Sequence, residues 1–180
     1  MDTAINTATL LEHLLAYEAL ALDHEPDSGE DSASRWDGVA FSLQQRNLCV
    51  DVALIDEIIP PPDLTPVPGS AAWLLGLTNV RGSLVTVVDL RMFLGQERSP
   101  INSKSRILVS SSENQHIGLL VDEILGQRHF DLTTASEVNP EQWQTIDRYL
   151  SKVYHQDGSD WGIFDLALLL QDPGFLDGAA

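Results

Sequence analysis

The chain has 180 residues, 43% of them hydrophobic, and its 27 acids against 10 bases give a formal net charge of −17. That length suits one ordinary domain or two very small ones, while the charge repels phosphate backbones and anionic lipid and so sets aside nucleic-acid and membrane-surface partners. No apolar run approaches the ~20 residues that span a bilayer, and no base precedes Arg35 as a secretory signal requires, so a cytoplasmic protein without direct membrane insertion is expected.

The acid is unevenly spread: residues 1–38 hold nine acids and one base. Within them Thr9-Leu10-Leu11-Glu12 fits a capping box, and Leu11, Leu14, Leu15 and Leu22 form an apolar stripe at helical spacing. Asp23 to Ser34 is acidic, carries Pro26 and Gly29, lacks any large apolar residue, and reads as a linker. From Val39 the texture changes to strands. Val39 to Leu43 and Leu48 to Ile59 flank a turn at Gln44-Gln45-Arg46-Asn47, and Leu48, Val50, Val52 and Leu54 alternate toward one face. Cys49, in the middle of that strand, reads as a small buried apolar residue. Pro60-Pro61-Pro62 ends the strand, because proline cannot donate to a ladder.

After a second proline-rich piece, Ala71 to Leu75 reads as a short helical turn. Gly76 and Gly82 then bracket a polar insert with one cation, Arg81, and glycines so placed mark tight turns or close backbone approaches. Ser83 to Val88 is a strand of β-branched and apolar residues, stopped by Asp89, which is able to cap the helical pattern Leu90, Phe93, Leu94. Gly95 to Lys104 is a polar loop. Ile107 to Ser110 and His116 to Val121 form a hairpin, strands follow at Ile124 to Phe130 and Tyr149 to His155, and Trp161 to Phe164 leads into a last helix, Leu166 to Leu170.

The chain repeats itself. Leu54-Ile55-Asp56-Glu57-Ile58-Ile59 returns as Leu120-Val121-Asp122-Glu123-Ile124-Leu125, and Val88-Asp89-Leu90 with Leu94 returns as Phe164-Asp165-Leu166 with Leu170. Two matches in the same order indicate a duplicated β unit. Each copy is too small to bury much alone, so the two are expected to share apolar surface. The fold class predicted is mainly β, as two small five-stranded SH3-like barrels packed together, with an N-terminal helix and a short C-terminal helix.

No reaction chemistry is visible. Asp56-Glu57 and Asp122-Glu123 are neighbours on strands and point to opposite faces, so neither pair converges on a substrate. The five histidines show no metal-ligand spacing, and no nucleophile elbow, phosphate loop or dinucleotide fingerprint occurs. No catalytic residue, metal or cofactor is assigned. A small hydrolase working through the acidic pairs, and a free-standing SH3-like module binding peptides such as proline-rich segments, stand as rivals to the reading that follows.

Val67-Pro68, Trp73-Leu74-Leu75, the run G-L-x-N-x-R-G from Gly76 to Gly82, Val87-Val88-Asp89-Leu90 and Gly118-Leu119-Leu120-Val121-Asp122-Glu123-Ile124 together resemble the signatures of CheW-like domains, the adaptors of bacterial chemosensory systems. The resemblance runs from about Trp36 to Leu176, which divides the chain into an N-terminal helix and acidic linker (1–35) and a CheW-like domain (36–176). Its opening is more similar to the twitching-motility branch, which acts on type IV pili, than to the flagellar one. Thr86 stands where the family usually has proline, and Ser151-Lys152 where a glycine-containing turn is common. The resemblance implies a non-enzymatic scaffold joining the cytoplasmic tip of a methyl-accepting chemoreceptor to a CheA-like histidine kinase of the two-component type. It implies a receptor-binding groove between the barrels, and near it Ile55, Glu57, Ile58, Gly76, Asn79, Val80, Arg81, Gly82 and Val121. Glu57 is expected to pair with Arg81 and fix the groove's shape. Kinase-binding residues are left unassigned.

Overall fold

A computed structural model describes residues 35–112 and 115–179; the predicted helix at 10–22 lies outside them. The strands are β1 (Arg35–Leu43), β2 (Arg46–Asp51), β3 (Glu57–Ile59), β4 (Leu74–Val80), β5 (Ser83–Asp89), β6 (Arg106–Ser112), β7 (Gln115–Val121), β8 (Glu123–Asp131), β9 (Leu150–Gln156) and β10 (Ser159–Phe164). Short helices are α1 (Leu90–Phe93), α2 (Pro140–Trp143), α3 (Leu166–Leu170) and α4 (Pro173–Ala179). The strands form two five-stranded sheets, ordered β8-β1-β2-β10-β9 and β3-β6-β7-β5-β4.

The duplication seen in the sequence is written into this topology. Replacing β8, β1, β2, β10 and β9 by β3, β6, β7, β5 and β4 converts the first order into the second. Each sheet also holds its one parallel pair at the matching place, β10 on β2 and β5 on β7. The caps repeat too. Asp89 accepts from the amides of Arg91 and Met92 at the start of α1, and Asp165 accepts from those of Ala167 and Leu168 at the start of α3.

The two copies do not fold separately, however. β1 and β2 of the first copy sit with β8–β10 of the second, and β6 and β7 of the second sit with β3–β5 of the first. The chain changes sheets at two equivalent residues: the Asp56 amide donates to the Val109 carbonyl (2.9 Å) and the Asp122 amide to the Ser42 carbonyl (3.1 Å). This exchange corrects the expected strand from Leu48 to Ile59. Asp51 accepts from the Ala53 amide and caps a 3-10 turn at Val52–Leu54, so the alternating pattern breaks. Leu48 and Val50 are buried, whereas Val52 and Leu54 are exposed.

Burial follows from that exchange. Alternate residues of each strand fill either a core private to one sheet or a core between the two. Ala40, Cys49, Phe130, Tyr154, Trp161 and Ile163 fill the first private core, and Val85, Val87, Ile107, Val109 and Leu120 the second. Between the sheets lie Phe41, Leu48 and Phe164 from one side and Val88, Leu108, Leu119 and Val121 from the other, with Leu90 and Leu166 from the helices. Cys49 is buried as expected, and that burial pushes its thiol up to about 12.

One local expectation changes. Leu74 and Leu75 belong to β4 rather than to a helical turn, preceded only by a turn in which the Leu74 amide donates to the Ala71 carbonyl. Thr86 is paired on both sides, with Leu77 and with Ile117.

Candidate functional site

The hairpin β4–β5 closes through Arg81-Gly82, both at positive φ (49° and 91°), between the paired residues Val80 and Ser83. Two positive-φ residues between paired strand ends make the type I′ turn, whose twist matches that of the strands. Glycine enters that conformation freely, but for arginine it costs roughly 1 kcal/mol or more. Asn79 helps to hold the turn, its side-chain oxygen accepting from the Gly82 amide at 2.9 Å. Arg81 Nε then meets Glu57 Oε2 at 3.0 Å, with the arginine side chain 80% exposed and the glutamate 23%. The expected pair therefore forms. It ties the hairpin tip to β3 and leaves most of the guanidinium in solvent, on a chain whose surface is otherwise strongly acidic.

Around this latch the sequence-predicted residues sort by chemistry. Glu57, Asn79, Arg81 and Gly82 come together at the tip, with half-buried Val80 beneath them against the private core of the second sheet. Ile58 is adjacent to Glu57 but on the opposite side of β3, as strand alternation requires. It is 39% exposed and paired in register with Leu108 of the inter-sheet core. Leu84 is 61% exposed and shares a face of β5 with buried Val88. Ile58 and Leu84 thus extend the inter-sheet core's face of their sheet into solvent. Ile55 is half-buried against that core.

Two predicted residues have structural reasons of their own. Gly76 is buried at a bulge with φ 144°, and a Cβ there would lie 2.5 Å from the Thr65 carbonyl oxygen, which bonds the Leu77 amide. Val121 is 0% exposed in the inter-sheet core, so it faces no surface that a partner reaches. Where a groove between the barrels is expected, side chains from both sheets pack against each other.

The acidic pairs are spent separately. Glu57 engages Arg81, Glu123 engages Lys104 at 3.2 Å, and Asp122 accepts from the Gln44 amide at 2.7 Å. Ser111 Oγ lies 2.6 Å from His116 Nδ1, but this contact is exposed and joins residues directly opposite each other in the β6–β7 hairpin. Among the described residues no three His, Cys, Asp or Glu side chains cluster as a metal site, and no helix is long and apolar enough to cross a membrane.

Comparison with known proteins adds the following. The family model described as CheW-like domain matches residues 37–174. The chain is 33% identical over 148 residues to Protein PilI of Pseudomonas aeruginosa, covering 82% of this chain and 83% of that protein. It is 32% identical over 112 residues to Chemotaxis protein CheW of Thermotoga maritima, covering 59% of this chain and 74% of that one. The crystal structure of scaffolding protein TtCheW from Thermoanaerobacter tengcongensis superposes with a TM-score of 0.68 at 23% identity, over 84% of this chain and 95% of that one, a likeness of fold.

Proposed function

This chain belongs to the CheW-like domain family, and from that premise we infer that it is a non-enzymatic chemosensory adaptor that couples a methyl-accepting chemoreceptor to a CheA-like histidine kinase. It acts in the cytoplasm, its domain at 36–176 holding the two partners at fixed geometry so that receptor state alters kinase output. The similarity to PilI over most of both chains supports a pathway controlling type IV pili and twitching motility.

The receptor's helical hairpin docks where the inter-sheet face of the second sheet runs out into solvent, rather than inside the seam. There Ile58 and Leu84 supply the apolar contact, and the Arg81–Glu57 latch supplies the charged one. The observation that carries this reading is Arg81 itself: a strained, preorganised turn presents one cation from an acidic surface, anchored by a carboxylate behind it. A merely structural arginine has no need of 80% exposure.

The test is co-purification of the full chain with the partner kinase, with and without a receptor fragment. Arg81→Ala removes an exposed pair and is expected to change unfolding free energy by no more than about 1 kcal/mol. The kinase is retained and the receptor fragment lost. An Arg81→Ala protein that unfolds, with receptor loss tracking that instability, makes the pair structural and overturns the assignment.

A further inference from the structure

An opening lies beside Asp122, one of the two places where the chain passes between sheets. It has a volume of about 710 Å³ and is lined by Gln44, Gln45, Arg46, Arg91, Asp122 and Gln144. These residues come from the β1–β2 turn, from α1, from the β7–β8 crossover and from the segment after α2. The cleft is therefore assembled by the fold and not by any one stretch of sequence.

Three features mark it as more than a gap. Its three glutamines all have positive φ, 52° at Gln44, 63° at Gln45 and 55° at Gln144. Glycine or asparagine would hold those conformations with less strain, and strain retained in non-glycine residues gathers at functional positions. The cleft is also rich in donors. Arg91 Nε is buried with no hydrogen-bond partner among the described residues, and Arg91 Nη1 makes a long ion pair, 3.6 Å, with Asp122 Oδ1, which also lacks a hydrogen bond. Arg46 has only a long contact with Gln44 Oε1, at 3.4 Å. Asp122 is meanwhile held by the Gln44 amide, so the lining's one carboxylate is partly committed. Finally, among the described residues the duplicated unit does not repeat this lining. Ala167 occupies in α3 the place that Arg91 occupies in α1, two residues after the capping aspartate, and Asp56, the other crossover residue, is exposed.

We propose that this cleft takes one carboxylate side chain from a polar loop of a partner protein, held between Arg46 and Arg91 and flanked by the amides of Gln44, Gln45 and Gln144. Two guanidinium forks suit a planar carboxylate that accepts two parallel hydrogen bonds. Asp122 and the net charge of −17 disfavour a doubly charged phosphate in the same position. The polar lining disfavours an apolar small molecule. The site is separate from the Arg81 tip, and its assignment stands or falls independently of receptor coupling.

The test is an amide NMR titration of the full chain with a capped Gly-Gln-Glu-Gln-Gly peptide. Its all-glutamine analogue, its phosphoserine analogue and acetate serve as comparison arms. Saturable shifts are expected at the amides of Gln44, Gln45, Asp122 and Gln144, and about tenfold weaker binding in Arg46→Gln, which loses one charge-assisted bond. Arg91→Gln is expected to weaken binding similarly, while the amide of Gly82 keeps its position in both variants. Equal binding of the all-glutamine peptide, tighter binding of the phosphopeptide, acetate binding as tight as the peptide, or no shift at these amides would each overturn the proposal.

Discussion

At single residues the structure separates space from strain. Gly76 and Gly82 share a positive φ, yet a Cβ at Gly76 meets the Thr65 carbonyl oxygen at 2.5 Å whereas one at Gly82 meets nothing within 4 Å. Gly82→Ala is expected to cost about 1 kcal/mol, the left-handed penalty alone. Gly76→Ala adds a backbone collision and costs about 3 kcal/mol, toward the upper end of what local strain reaches; urea midpoints of the two variants measure the difference. Tyr149 gives a pH prediction. Burial first, and then the Asp172 carboxylate that accepts its hydroxyl at 2.7 Å, push the phenol up to about 12. An unfolded tyrosine ionises near 10, so the folded state holds the neutral form more tightly. That contribution is complete below pH ~10 and is lost as pH rises toward ~12. Tyr149→Phe should remove one late-titrating group from the tyrosinate absorbance curve and flatten the alkaline loss of stability.

At the scale of elements, two caps of equal sequence do unequal work. Asp89 is fully buried and accepts from the amides of Arg91, Met92 and Ser99 and from the Ser99 hydroxyl, whereas Asp165 accepts only from the two amides that open its helix. Asp165→Ala should cost the ~1 kcal/mol of an ordinary cap. Asp89→Ala strands the buried Ser99 groups as well, at about 1–3 kcal/mol more, and thermal melts of the pair check the ranking. The Asp89 cap was legible in the sequence because capping is local chemistry. So were the hairpin at His116–Val121 and the last helix, whose patterns are regular. β4 was not, because the bulge at Gly76 interrupts its alternation. The Arg81–Glu57 pair was legible from the family resemblance, with the acidic charge of the chain favouring a carboxylate partner. The burial of Val121 was not, since a residue facing a neighbouring sheet and one facing an open groove obey the same period of two. The glutamine-lined cleft left no signature, for its residues meet only through the crossover at Asp122.

For the whole molecule, the exchange of strands decides how stability is distributed. The second sheet is drawn from one continuous stretch, β3 to β7, yet one of its faces is built to pack against β1, β2 and β10. Detached, that stretch would expose Val88, Leu108, Leu119 and Val121 together, an apolar face that water does not tolerate. The two sheets are therefore expected to melt as one cooperative unit, although each has a private core. Leu119→Ala puts a cavity in the inter-sheet core and should cost about 2–5 kcal/mol. The informative measurement is where that loss appears in amide hydrogen exchange. Protection should fall by the same amount at Leu48 in the first sheet and at Leu120 in the second, because global opening exposes both. If Leu48 keeps its protection while Leu120 loses it, the sheets open separately. A rigid body holding receptor and kinase at fixed geometry would then be the wrong description of this adaptor.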